Sequence, residues 1–266
     1  TIRNSILENF EKILYVDDKE KEALMNIVVV GGGPTGVELA GAFAEIKRDI
    51  LPKDFFRIDF SKMNIDLLEG ADKTLGTMSE KSSLQSQKYL ERLGVKVMTN
   101  AFVKEYDGTS VFLNKGEQIN TATMIWAAGI KGNIPNGVDK GLVAKGNRIT
   151  TDRYCRINGY NNIYAIGDLA YMETSKYPNG HPQVAPVAMQ QADLLAGNFK
   201  LIERKSNPDK QYAFEYRDKG SMATVGRNLA VVDIPKPKLH FGGLMAWMIW
   251  MGLHLMLILG VKNRFF

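Results

Sequence analysis

The chain contains one cysteine, Cys155, so neither an internal disulfide nor a Cys-x-x-Cys redox pair can form. Its three histidines, His181, His240 and His254, lie far apart, and none has metal-ligand spacing, so no metal centre is expected. Gly-x-Ser-x-Gly is missing, which removes support for a nucleophile-elbow hydrolase. The first residue is Thr1, not Met, and it falls within what reads as a helix. We therefore expect a fragment, with any targeting peptide upstream. Apolar residues make up 45% and charged residues 24%, which excludes disorder and collagen-like repeats. A net charge of +5 is mildly basic; it suits an anionic membrane as well as nucleic acid and decides neither. At roughly 150 residues per domain, 266 residues make two domains or one large one.

What is present has clear order. Apolar residues at helical spacing predict a helix over Ile2 to Leu14, then a charged linker from Asp17 to Glu22. The β-branched run 26–30 flows into Gly31-Gly-Gly-Pro-Thr-Gly36, and an apolar-periodic helix follows from Val37 to about Ile50. An aromatic and basic loop, Phe55 to Lys62, precedes a second strand from Asn64 to Leu68 that ends at Glu69. A helix over Glu80 to Leu93 leads to a third strand, 94–98. Strands 102–106 and 110–113 flank Asp107-Gly108, a hairpin signal, and 124–127 returns as another strand. After Gly129 come strands at Tyr154 to Ile157, Tyr212 to Tyr216 and Ser221 to Val225, with a helix from Val184 to Leu201. Pro235 and Pro237 mark a linker. Leu244 to Val261 is an 18-residue run with no Asp, Glu, Lys or Arg. The expected divisions are 1–25, a connecting helix and linker; 26–129, a nucleotide domain with an antiparallel β insertion; 130–235; and 236–266.

The glycine loop is the strongest signal, because a strand precedes it, a helix follows it and an acid closes the next strand. Gly31 permits the tight turn, Gly33 lets a pyrophosphate approach the backbone, and Gly36 lets helix and strand pack closely. Gly32, Pro34 and Thr35 complete the loop, and the helix start offers free N–H groups to phosphates. Glu69 can accept both hydroxyls of an adenosine ribose and repels a 2′-phosphate, which favours NADH over NADPH. It lies 33 residues beyond Gly36, a wider gap than usual, and the 55–62 loop accounts for the excess. Glu38 sits in the first helical turn, where the helix dipole alone would favour an acid.

These motifs carry a family resemblance. The stretch 30–41 resembles the NADH-binding loop of type II NADH dehydrogenases, the single-subunit NADH:quinone oxidoreductases, and 124–129, with Ala128 and Gly129, resembles their return strand. Asn162-Ile-Tyr-Ala-Ile-Gly-Asp168 is similar to the second flavin motif of two-dinucleotide-binding-domain flavoproteins, and 185–191 to the helix start facing flavin and quinone. The segment 218–227 and the Trp-rich tail match as well. The resemblance implies a Rossmann-like α/β NADH domain joined to the second part of an FAD-binding domain. NADH would reduce FAD, and reduced flavin would pass two electrons to a membrane quinone without ion pumping. It implies FAD contacts at Gly167, Asp168, Val187 and Ala188, and a quinone side at Pro186, Gln190 and Gln191. Pro186 stands where many relatives have Gln, removing one donor. The acid matching Glu38 is implicated in proton delivery or in shaping the site.

Relatives open with a first FAD loop, and nothing before Asn26 matches one. The fragment alone is therefore expected to be inactive and to bind FAD poorly. The parent is expected as a homodimer, peripheral on the cytoplasmic face of the bacterial inner membrane, with no nucleic-acid partner; a mitochondrial origin stays open. The face carrying Trp247, Trp250, Met251, His254, Leu255 and Ile258, flanked by Lys236, Lys238, Lys262 and Arg264, reads as an interfacial anchor or quinone channel, as a covered core helix, or as a span. Two rival functions remain: a soluble NAD(P)H-dependent reductase of a ferredoxin-like partner, and a non-catalytic NADH-binding module.

Overall fold

Asn26 fixes the register at the start of the fold. Its side chain donates to the Asn120 carbonyl at 2.9 Å and accepts the Asn64 N–H at 2.9 Å. The computed structural model describes residues 2–203 and 211–257. Helix α1 (Ile2–Lys12) and helix α2 (Asp18–Met25) lead into strand β1 (Ile27–Val30). The expected linker at 17–22 is mostly helical. Asp17 accepts the Glu20 N–H at 2.9 Å as a start signal, and Asp18 pairs with Lys21 one turn on. Helix α3 (Pro34–Asp49) begins earlier than expected, with proline in its first turn. Helix α4 (Leu51–Asp54) opens the expected loop, whose Phe55 and Phe60 stack edge-on against Phe10 at 5.7 and 5.5 Å. The loop is thus a hydrophobic plug under α1.

Strand β2 (Ile65–Leu68), helix α5 (Glu80–Arg92) and strand β3 (Lys96–Met98) continue the nucleotide fold. Strands β4 (Val103–Tyr106), β5 (Ser110–Leu113) and β6 (Gln118–Asn120) form the antiparallel insertion, and β7 (Thr123–Trp126) returns to the main sheet. That sheet is parallel, in the order β3-β2-β1-β7. The dinucleotide-binding α/β class read from the sequence is the observed one.

From Gly129 a second compact unit runs to Asp218, while Thr1–Ala128 and Lys219–Phe266 form the first. The second unit holds β8 (Val143–Ala144), β9 (Arg148–Thr150), β10 (Ala170–Tyr171) and helix α6 (Ala185–Glu203). Two expected strands do not form there. Asp152 Oδ1 accepts the N–H groups of Tyr154 and Arg156, and Cys155 adopts φ +63°, so the chain turns at 154–155, and Arg156 and Ile157 make only isolated bridges, to Tyr164 and Thr151. Residues 212–216 run outside any sheet, with Asn198 and Arg153 taking their polar groups.

Strands β11 (Ser221–Gly226), β12 (Leu229–Ile234) and β13 (Leu239–Gly242) form an antiparallel sheet on the first unit. Residues 219–235 therefore pack with the first unit and not with 130–218, and Pro235 and Pro237 sit in the turn between β12 and β13, not in a linker. Helix α7 (Gly243–Leu257) seats Ala246, Trp247 and Ile249 on Ala230 and Val232. Along the expected apolar face, Trp247, Trp250 and Met251 are half-buried while His254 and Leu255 are exposed. Leu244, Met245, Met248 and Met256 are exposed too. Ile258, Val261, Lys262 and Arg264 lie outside the described residues. Among the described residues no helix is long and apolar enough to cross a membrane.

Asp66 is a charge inside this frame, 3% exposed in β2, with only the exposed Lys96 ammonium at 4.0 Å. Burial pushes its carboxyl above the ordinary 3.8. The folded state therefore holds the proton longer than the unfolded one. The stability this gives is complete below pH 3.8 and is lost as pH rises through the folded value. Asp66→Asn should accordingly be more stable than the wild type in urea unfolding at pH 7, with the gap closing toward pH 4.

Candidate functional site

The glycine loop is built by close backbone approaches. The Gly31 N–H donates to Leu68 O at 2.7 Å, and the Ala127 N–H to Val30 O at 2.7 Å. Gly31 has φ +112°, and a Cβ there would lie 2.8 Å from Ala127 and Ala128 backbone atoms. At Gly36 a Cβ would fall 1.8 Å from Gly31 O, so only glycine lets α3 begin against the β1 turn. Gly33 differs: its φ is ordinary at −71°, and a Cβ would meet nothing within 4 Å. Neither the backbone angle nor internal packing requires glycine there. The open space lies over the first turn of α3, where unpaired N–H groups and the positive dipole end favour an anion.

Glu69 borders that space. Its Oε2 accepts the Gly32 N–H at 2.6 Å and its Oε1 the Ala71 N–H at 2.7 Å, so the carboxylate is fixed in place. Pro34 and Thr35 are exposed on the rim.

Glu38 has a partner from a distant part of the chain. Its Oε1 accepts the N–H of Thr224 in β11 at 3.3 Å. One turn on, Gly41 lies so close to β11 that a Cβ would fall 1.6 Å from Val225 O. Further along, Glu45 Oε1 accepts the Arg227 N–H at 2.5 Å. Residues 38, 41 and 45 share one helical face, which clamps the edge of the C-terminal sheet. The hydrogen bonds span 186 and 182 residues of sequence, so no local pattern announces them.

In the second unit, Gly167 has φ +65° and donates its N–H to Oε1 of the buried Gln191 at 2.7 Å. Asp168 follows with an exposed side chain, and its carbonyl accepts from Gln183 Nε2 at 2.9 Å. The N–H groups of Val187 and Ala188 point back to Val184 O at 3.0 and 3.4 Å. Gln190 binds both the N–H and the carbonyl of Arg217, each at 3.0 Å. The Gln190 and Gln191 carboxamides are thus engaged inside the unit, and Pro186 is half-buried beside them. Gly129 has φ +83° and open space at its Cβ position. Cys155 is fully buried, and burial pushes its thiol up to about 12, so it supplies no thiolate. No cluster of metal-ligating side chains occurs among the described residues.

Comparison with known proteins gives this geometry a family. Residues 3–192 match the model of the pyridine nucleotide-disulphide oxidoreductase family, and residues 219–266 match the NDH2 C-terminal domain. The chain is 34% identical, over 99% of its length and 57% of the relative's, to a Mycobacterium tuberculosis protein named type II NADH:quinone oxidoreductase Ndh. A Staphylococcus aureus protein named type II NADH:quinone oxidoreductase is 33% identical over 80% of this chain and 52% of its own. The fold matches a structure of NDH2 from Plasmodium falciparum in complex with NADH, with a TM-score of 0.87 at 22% identity, covering 99% of this chain and 68% of that one. The chain spans about half the length of the curated relatives it matches. The chain belongs to the pyridine nucleotide-disulphide oxidoreductase family.

Proposed function

We propose that this chain is the NADH-binding part of a flavoprotein that passes reducing equivalents from NADH to a quinone at a membrane surface. The observation that carries this reading is the open space over Gly33 beside the fixed Glu69 carboxylate. The adenosine ribose would bind at Glu69, and its pyrophosphate would lie over Gly33 at the α3 start. The relatives' names supply the acceptor class, and the buried, single Cys155 agrees, since it leaves no dithiol to relay electrons. Gly167 and Asp168 would meet the ribityl chain of FAD, which supplies two-electron chemistry when bound. The one Gly-x-Gly-x-x-Gly is assigned to NADH, so FAD's pyrophosphate has no loop of its own in this chain. Docking of the exposed apolar side of α7, homodimer formation and placement on the cytoplasmic face of a bacterial membrane belong to the same reading.

The test is acceptor preference in the whole enzyme: a short-chain quinone should be reduced much faster than an iron–sulfur protein, and the reverse order favours the ferredoxin-like rival. Within this reading Glu38 serves the proton path to the quinone. Glu38→Gln should slow the quinone half-reaction by at least ~10²-fold in stopped-flow measurement and leave NADH oxidation near the wild-type rate. Unchanged half-reactions with a lower melting temperature would reduce Glu38 to its bond with Thr224.

A further inference from the structure

Within the Gly129–Asp218 unit, the turn 174–177 meets the segment 214–216 around a pocket of about 110 Å³. That is far below the ~300–1,000 Å³ that holds drug-sized ligands, yet enough for a compact ion. Its floor is polar and buried: His181 is 3% exposed and Tyr216 7%. Tyr177 lines the same pocket, its ring 4.7 Å from that of His181. His181 Nδ1 lies 2.9 Å from Met172 O. A carbonyl only accepts, so Nδ1 carries the hydrogen. His181 Nε2 and the hydroxyls of Tyr177 and Tyr216 have no hydrogen-bond partner among the described residues. None of the three is sealed from solvent, so each is free to meet a small polar molecule, and all three side chains line one cavity. Arg153 and Lys176 stand exposed at its edge, and Arg153 is anchored there by Nε and Nη2 bonds to Phe214 O at 3.3 and 2.7 Å.

We propose that this pocket binds a compact tetrahedral oxyanion that retains one proton, of the hydrogen phosphate type. The two cations attract the negative charge, and the two phenols donate to its oxygens. The remaining requirement is a donor for His181 Nε2. Burial, with Arg148 and Arg153 nearby, holds His181 below its ordinary 6.5, so the ring is neutral at pH 7.5 and Nε2 presents a lone pair. Hydrogen phosphate has the O–H that this lone pair needs. Sulfate, of the same size and charge, has none at that pH and would leave Nε2 facing an acceptor. Exposed Glu215 also lines the pocket and opposes the anion, so its neutralisation should tighten binding.

Isothermal titration of the full chain with inorganic phosphate and with sulfate, at pH 7.5 and matched ionic strength, tests this. We expect one phosphate per chain and sulfate at least ~10-fold weaker. Tyr216→Phe, which removes only a hydroxyl, should weaken phosphate several-fold, and Glu215→Gln should tighten it, with the anion-free melting temperature unchanged in both. Three results would overturn the proposal: no saturable phosphate binding, sulfate binding as tightly as phosphate, or Tyr216→Phe binding phosphate like the wild type.

Discussion

Gly41→Ala is expected to lower the melting temperature by about 6 °C or more. Alanine in a helix interior is ordinarily about 1 kcal/mol better than glycine. Here its Cβ would overlap Val225 O at 1.6 Å, and that atom is backbone, so α3 and β11 must separate. Separation strains the packing, at about 1–3 kcal/mol. It also pulls Thr224 and Arg227 away from Glu38 and Glu45, bonds to charged groups worth about 1.5–3 kcal/mol each. A net loss of about 3–8 kcal/mol follows, and at about 2–4 °C per kcal/mol for a chain of this size it is read directly by calorimetry. A Gly41→Ala protein as stable as the wild type would mean that this helix and strand do not approach as described.

Gly33→Val should do the opposite: keep the fold and lose the nucleotide. The backbone at Gly33 is one that any residue adopts, and nothing lies within 4 Å of its Cβ position. The melting temperature should therefore move little, as for most substitutions that disturb no contact. The added side chain fills the open space over the N–H groups of the α3 start, so NADH affinity should fall by more than ~10³-fold, about 4 kcal/mol. Gly36→Ala is the control, since its Cβ collides with Gly31 O and should damage stability as well as binding.

The two glycines also show what a sequence can disclose. The loop at 31–36 was legible because its requirements are local: a strand, a turn that excludes side chains and a helix start follow one another along the chain. The parallel sheet and its antiparallel insertion follow from similarly local patterns. Helix α2 was hidden because its first five residues, 18–22, are all charged, and its start depends on the Asp17 side chain. The hairpin β12–β13 was hidden because Pro235 and Pro237 signal a break in the chain without saying whether it is a linker or a turn. Alternating residues at 212–216 suggested a strand, but no neighbouring strand pairs with them. The α3–β11 clamp depends on contacts between distant segments, which residue periodicity does not encode. In the candidate site, Gln190 and Gln191 were recognisable by type, yet their commitments to Arg217 and Gly167 appear only in three dimensions.

The most direct test of the account is titration of the wild-type chain and of Glu69→Gln with NADH and with NADPH. Glu69 is held by Gly32 and Ala71, so its charge stays where a 2′-phosphate would lie. The wild type should bind one NADH and prefer it over NADPH by at least ~10-fold, about 1.4 kcal/mol. Glu69→Gln should narrow that preference, chiefly by improving NADPH binding. Equal affinity of the wild type for the two nucleotides, or no saturable binding of NADH, would contradict the account.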